Sequence, residues 1–250
     1  MSTKDEIIYG LNPVMEALRG SRQIYELFVA GTSPDKRMEK LLKLAAERKI
    51  PVRQREKADL KRLCGTEHHQ GVALRVEPFP YAELHDLLEN LKGTPDGLIL
   101  VLDSVQDPHN LGALIRSAAC AGAHGVVIPK DRAAGVTASA EKASAGAAGT
   151  IPVAQVTNIS QALEELKKAG FWIYGADGEA RRTVYQQDLT GPVALVIGGE
   201  GEGIRPLVRK GCDELVSIPL QGGVNSLNAS VAGGILLFEA VRQRLAGKKG

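Results

Sequence analysis

The chain has 250 residues, 44% of them hydrophobic and 24% charged, which predicts a packed globular core in one large or two small domains. It contains no apolar run of about 18 residues and no charged-then-apolar leader, so neither a membrane span nor a signal peptide is expected and the chain reads as cytoplasmic. The formal net charge of +2 conceals an asymmetry: residues 1–77 hold 15 Lys and Arg against 11 Asp and Glu, whereas residues 78–250 hold 16 against 18.

Most of the basic excess lies in 36–62, KRMEKLLKLAAERKIPVRQREKADLKR, with 11 basic and 4 acidic side chains. Such a patch supplies sequence-independent affinity for phosphates, or is simply a solvated helix face with pairs such as Glu39–Lys43. Aromatic residues are only 4%, so an RNA surface here would use basic and polar groups more than base stacking. Cys64, Cys120 and Cys212 are far apart and form no CxxC pair. They predict free thiols in a reducing compartment, not a disulfide frame or a zinc site.

In chain order, a short helix is expected at Pro13–Arg19 and a strand at IYELFVA (24–30). Asp35 to Lys49 has apolar residues at 38, 41, 42, 45 and 46, the spacing of an amphipathic helix. IPVRQ (50–54) and GVALRV (71–76) read as strands around a basic helix at 56–63, giving a compact α/β module that ends near Val76. Pro78 and Pro80 open a linker over 77–97, with a short helix at 81–91 inside it. LILVLD (98–103) is a nearly all-apolar strand of the kind found in a parallel sheet covered on both faces. Asp107-Pro108 reads as an N-cap followed by proline at the first position of a helix that runs to about Ala121. GVVIP (125–129), FWIYGA (171–176), VALVIG (193–198) and LVSIP (215–219) are further strands. SQALEELKKAG (160–170) is a helix, and a last helix begins near Asn228, ends around Leu245 and leaves GKKG as a frayed tail.

Standard nucleotide and hydrolase signatures are missing. There is no G-x-x-x-x-G-K-[ST], no G-x-S-x-G, and Ile204 stands where a G-x-G-x-x-G starting at Gly199 needs its last glycine. His68, His69, His85, His109 and His124 show no metal-ligand spacing. Three segments stand out instead: DSVQDPHNLGALIRSAACAGA (103–123), LVIGGEGEGI (195–204) and IPLQGGVNSLNASVAGGI (218–235). Each follows a strand and places glycines and small polar groups at its carboxyl end, the edge where open α/β sheets bind ligands. Any one of them alone is an ordinary glycine-rich turn; three in one domain point to a site.

Over nearly its whole length the chain resembles the SpoU (TrmH) family of RNA ribose 2′-O-methyltransferases, most closely the RlmB-type group that modifies a guanosine in the P loop of 23S rRNA. IYGLNPVMEAL (8–18) and HHQGVALRV (68–76) match the family's substrate-binding domain, and D-x-V-x-DPHNLGA-x-x-RSA, IGGEGEGI and IPL-x-G-x-x-NSLN-x-SVA match its three catalytic motifs. Ala229 replaces a frequent valine, a small change of volume. The resemblance implies an L30e-like α/β domain over 1–76, the linker, and a SPOUT-type trefoil-knotted α/β methyltransferase domain over 98–250.

It also implies S-adenosyl-L-methionine (SAM) as cofactor, no metal, an RNA substrate (23S rRNA, naked or in an assembling ribosomal precursor), and a homodimer. The cofactor loops would be 195–203, 217–222 and 224–229, with backbone groups of Gly198, Ile218, Leu220 and Leu227 on the adenosine. The polar site residues would be Asn110, Arg116, Glu200, Ser226 and Asn228. Asn110 and Arg116 are about 240° apart on an ideal helix, so Asn110 is expected to end the preceding loop while Arg116 projects from the helix. Glu200 would orient Arg116 or a substrate group. Gly233 and Gly234 within a helix predict close packing against the sheet or a partner subunit. A tRNA guanosine 2′-O-methyltransferase, a non-catalytic RNA-binding protein and a nicotinamide-dependent oxidoreductase are the competing readings.

Overall fold

The computed structural model describes residues 5–20, 22–31, 36–223 and 225–247. The expectations for Asp35, Val224 and the 248–250 tail lie outside the described residues. The chain divides into two units, Met1–Pro80 and Tyr81–Gly250.

The first unit runs β1 (Glu6–Tyr9), α1 (Leu11–Ala17), β2 (Ile24–Val29), α2 (Lys36–Glu47), β3 (Val52–Gln54), α3 (Lys57–Cys64) and β4 (Val72–Val76). Its sheet has the order β1-β4-β2-β3. β4 is antiparallel to both neighbours, while β2 and β3 are parallel. The helical spacing read in 36–49 is realised by burial of Leu41 and Ala45, one turn apart, with the lysines and arginines of α2 outward. β1 was not visible in the sequence, because EIIY is four residues long and only Ile8 is buried.

The second unit begins with α4 (Leu84–Asn90), followed by β5 (Leu98–Asp103), α5 (Pro108–Cys120), β6 (Gly125–Pro129), α6 (Ala138–Ala143), β7 (Val153–Val156), α7 (Ile159–Lys168), β8 (Trp172–Ala176), β9 (Arg182–Thr183), β10 (Val193–Gly198), α8 (Pro206–Gly211), β11 (Glu214–Ser217) and α9 (Ala229–Gly247). Seven strands form one parallel sheet in the order β7-β6-β5-β10-β8-β11-β9. All six residues of β5 are buried, as its unbroken apolar run requires of a strand covered on both faces. Period-two alternation divides the core. Ile99, Val101, Ala194 and Val196 face α4, α7 and α8, in a cluster with Leu87, Leu163, Leu166 and Val208. Leu100, Leu102, Leu195 and Ile197 lie on the opposite face, where α5 packs with α6 and with α9.

The stretch 77–97 is not all connecting chain. Leu84, Leu87 and Leu88 of α4 enter the second unit's core, and Ala82 bridges to Ala154 beside β7. The prolines break the chain only as far as Pro80; beyond it, the 84-87-88 spacing gives a buried helical face. Among the described residues no helix is long and apolar enough to cross a membrane.

All three cysteines are free, in keeping with their spacing. Their environments differ. Cys120 is exposed, whereas burial pushes the Cys212 thiol up to about 12 and also raises that of Cys64. The thiolate is the nucleophile, so native labelling with iodoacetamide at pH 8 should modify Cys120 first and leave Cys212 unreacted until the protein unfolds. Mass spectrometry of the labelled chain checks the order; early modification of Cys212 would contradict the packing described.

Candidate active site

The strands of the second unit deliver their carboxyl ends to one edge. β10 ends in Gly198 and continues as a tight turn, with Gly201 at φ 91° and Gly203 at φ 67°. The turn closes on itself, as the Gly203 N–H donates to the Gly199 carbonyl at 3.1 Å. Two backbone segments press on its first residues. A Cβ on Gly198 would lie 2.0 Å from the Gly203 carbonyl carbon, and one on Gly199 would lie 2.2 Å from the Ser104 carbonyl oxygen. Neither glycine has a positive φ, so the requirement here is space.

The turn is also fastened to β5. Asp103, at the end of that strand, is fully buried and accepts the Arg205 backbone N–H at 2.8 Å and its guanidinium Nε at 2.7 Å. The ion pair extends to the Arg205 terminal nitrogen at 2.6 Å. In the sequence Asp103 ends a strand and opens the 103–123 segment, but its partner, 102 positions away, is not legible there.

Between this turn, the end of β11 and the start of α9 lies a cavity of about 440 Å³. Gly198, Glu200, Ile218, Leu220, Ser226, Leu227 and Asn228 all line it, so seven of the nine expected site residues converge there. Ala176, Asp177 and Gly178, at the end of β8, also line it and were missed. The strand-end rule used for the other segments applies equally to GADG, which follows a predicted strand. Asp177 is held by Arg209 at 2.7 Å and accepts the Glu179 N–H at 2.8 Å.

A chain of side-chain hydrogen bonds joins the three segments. Asn228 caps α9: its Oδ1 accepts from the Ser230 backbone N–H at 2.9 Å and from the Ser230 hydroxyl at 2.6 Å. That contact fixes the orientation of the amide, so its Nδ2 donates to Asn110 Oδ1 at 3.0 Å. The Asn110 amide then donates to the Glu200 carboxylate. Residues 118 and 90 positions apart are thereby locked in one arrangement.

Two expectations need correction. Asn110 does not end the preceding loop; Asp107 is the N-cap, accepting the His109 N–H at 2.9 Å, and Asn110 is the third residue of α5. From that first turn its side chain still reaches Glu200 and Asn228. Of the two partners expected for Glu200, Arg116 or a substrate group, the first is replaced: its carboxylate is engaged by Asn110. Arg116 is exposed on α5, outside the cavity lining, and about 9 Å along the helix axis from Asn110. Of the paired glycines, Gly233 is the tightly packed one. A Cβ there would meet Leu114 at 2.3 Å, whereas at Gly234 the nearest described atom is 3.9 Å away. Among the described residues no cluster of three His, Cys, Asp or Glu side chains is placed to hold a metal ion.

The family model described as the SpoU rRNA Methylase family matches residues 97–238, across all three of these segments. This chain is a SpoU methylase. A second model, RNA 2′-O ribose methyltransferase substrate binding, matches residues 7–82 of the same SpoU chain. A relative named 23S rRNA (guanosine-2′-O-)-methyltransferase RlmB from Ralstonia nicotianae is 45% identical over 97% of this chain and 97% of its own. One of the same name from Xanthomonas campestris pv. campestris is 46% identical over 98% and 99%. The crystal structure of the SpoU methyltransferase AviRb from Streptomyces viridochromogenes, in complex with the cofactor AdoMet, has a TM-score of 0.63 at 28% identity. That match covers 97% of this SpoU methylase and 92% of the AviRb chain.

Proposed function

We propose that this protein transfers the methyl group of SAM to the ribose 2′-hydroxyl of a guanosine in 23S rRNA. One observation carries the reading: Glu200, Asn110 and Asn228, from three separate motifs, are hydrogen-bonded into one polar array beside a glycine-walled cavity. The cavity volume lies within the range of small-molecule sites, and its walls are largely backbone and apolar side chains, which suits an adenosine. Gly198, Ile218, Leu220 and Leu227 would hold SAM there. When bound, SAM supplies a methyl group already activated on a sulfonium sulfur.

What remains for the chain is alignment and handling of the hydroxyl proton. Positioning of reactants contributes up to roughly 7–11 kcal/mol. Ser226 and Asn228 would position the hydroxyl, with Glu200 held in place by Asn110. Arg116 would bind the target phosphate and stabilise the developing alkoxide, the hydroxyl proton passing to solvent and the sulfonium leaving as the neutral thioether. A guanidinium keeps its proton across the physiological range, so its charge serves better than its basicity. Arg116 has no protein hydrogen-bond or ion-pair partner among the described residues, which leaves its fork of donors free for a phosphate. Replacing Arg116 by lysine, which keeps the charge and loses the fork, is expected to lower kcat/KM for RNA about tenfold without altering SAM affinity. Turnover near that of the wild type would show that the fork is not needed.

The same reading assigns 1–76 to RNA binding as an L30e-like domain, with the basic 36–62 stretch on phosphates, and 98–250 to catalysis within a trefoil knot. It makes the working form a cytoplasmic homodimer acting on rRNA, free or in a ribosomal precursor. Val231, Phe238 and Leu245 support the dimer: they are 49%, 49% and 59% exposed and recur every seventh residue along one face of α9. Calorimetric titration with SAM, then labelled methyl transfer to 23S rRNA and tRNA with mapping of the modified ribose, tests the proposal. Absence of SAM binding sinks the enzyme reading, and transfer confined to tRNA sinks the rRNA assignment.

A further inference from the structure

The first unit contains a second cavity, of about 830 Å³, that the chemistry above does not use. It lies over the β2 end and is flanked by α2, α3 and the turn before β4. Its lining is of two kinds. Leu11, Met38 and Leu42 are half-buried and turn apolar surface toward the space. His69, Gln70 and Lys57 supply polar groups.

His69 is only 6% exposed, yet it lines this cavity. Its Nδ1 accepts the Gly71 N–H at 3.0 Å, which places the ring proton on Nε2. Nε2 has no partner among the described residues. Its ring lines the cavity, so a ligand acceptor there can take a hydrogen bond from Nε2. Gln70 is fixed in the same sense. Its Oε1 accepts the Leu11 N–H at 2.8 Å, so its amide NH₂ remains as donor. The turn that presents both is unusual, with Gln70 at φ 53° followed by Gly71 at φ 77°. A non-glycine residue in the left-handed region is the kind of local strain that accompanies ligand sites. On the rim, Lys57 and Lys61 stand one turn apart on α3, and Lys61 is paired with Glu67 at 2.5 Å.

We infer that this cavity takes one unstacked nucleotide of the substrate RNA, with its base between Leu11, Met38 and Leu42, its acceptor edge on His69 and Gln70, and its phosphate at Lys57. Two features select this occupant: donors facing inward with an apolar floor match a nucleobase, and cations at the mouth match a phosphate. The inference rests on the RNA-methyltransferase reading for the nature of the substrate. It adds a base-reading site in the unit that reading treats only as phosphate-binding.

The test measures binding by the full chain to a fluorescently labelled 23S rRNA fragment, and to a series of that fragment with one abasic nucleotide each. Ala58 is exposed on α3 and lines the cavity, so Ala58→Trp obstructs the space without entering the core. Wild type should show a position at which the abasic substitution weakens binding about tenfold. Ala58→Trp should weaken intact RNA by a similar factor and lose the penalty at that position, while Ala58→Ser behaves as wild type. His69→Phe, which keeps a ring but removes the Nε2 donor together with the acceptor for the Gly71 N–H, should reproduce the loss. SAM affinity, read in the other unit, should not change. Binding of Ala58→Trp within about twofold of wild type, or an abasic penalty that persists in it, overturns the cavity site. Methyl transfer to the same fragment separates the two claims. Transfer by wild type alongside normal RNA binding by Ala58→Trp removes the cavity alone. Wild type that binds the fragment without methylating it removes the rRNA activity and leaves the cavity standing.

Discussion

Alanine at Gly198 is expected to weaken SAM binding about a hundredfold or more while the protein remains folded. The added methyl carbon would lie 2.0 Å from the Gly203 carbonyl carbon and 2.3 Å from the Ile204 nitrogen. Both are backbone atoms within the turn that walls the cavity, so no side-chain rotation relieves the clash. The turn must open, and Glu200 moves with it away from Asn110. The strand itself need not break, because Val193–Ile197 keep parallel partners on both sides through most of their length. Gly149 supplies the comparison. It lies between α6 and β7, outside the cavity lining, is exposed, has no positive φ, and a methyl group added there would meet nothing within 4 Å. Gly149→Ala should therefore bind SAM as wild type does. Calorimetry on the two variants, with circular dichroism as the folding control, decides the matter. Equal SAM affinities would show that the 198–203 turn is not a wall of the cofactor site.

The second large effect concerns Asp103 and Arg205, and it is asymmetric. Arg205→Ala is expected to destabilise the protein by about 3–5 kcal/mol, because it leaves a fully buried carboxylate without its counter-charge. Asp103→Asn should cost less, about 1–2 kcal/mol, although it removes the same ion pair. The Arg205 side chain is 39% exposed, so a released guanidinium can turn to water. Asparagine also retains an acceptor for the Arg205 backbone N–H. Urea unfolding of both variants measures the order. Equal losses, or a larger loss for Asp103→Asn, would mean that the cost lies in packing rather than in the stranded charge. Both variants should also lose SAM affinity, since the pair ties the far end of the 198–205 turn to β5.

Asp103 illustrates what could be read in the chain and what could not. Its position at the end of LILVLD was legible from an unbroken apolar run. Its partner, 102 residues on, was not, because no local period links them. The same holds among the secondary elements. Strands with continuous apolar runs, such as β5, β6 and β10, were visible, as were helices with a clear apolar stripe, such as α2 and α7. β7 was not, since VAQV is short and half-exposed at the sheet edge. α6 was hidden in a run of alanine, serine and glycine with no apolar period, and α8 is six residues long.

α9 shows the opposite difficulty. Its start was legible from Asn228, but its faces were not. Glu239 is buried and held by Arg242 at 2.8 Å, which keeps its carboxyl below the usual carboxylate range. Gln243 bonds the 187–189 loop at 3.0 and 2.8 Å. Polar groups thus occupy the inward side while Phe238 is half exposed, so hydropathy along the helix points to no single face.

By itself the sequence determined the parallel α/β character of the second unit, the three glycine-rich strand ends and the family they resemble. Those properties are local, written in apolar runs, caps and motif spacing within a few residues. Only the tertiary structure decided that Asn228 orients Asn110, that Asn110 rather than Arg116 holds Glu200, and that Asp177 shares the cavity. Each of these joins residues from different strand ends of one sheet, and a side chain's partner there depends on which ends the strand order brings together.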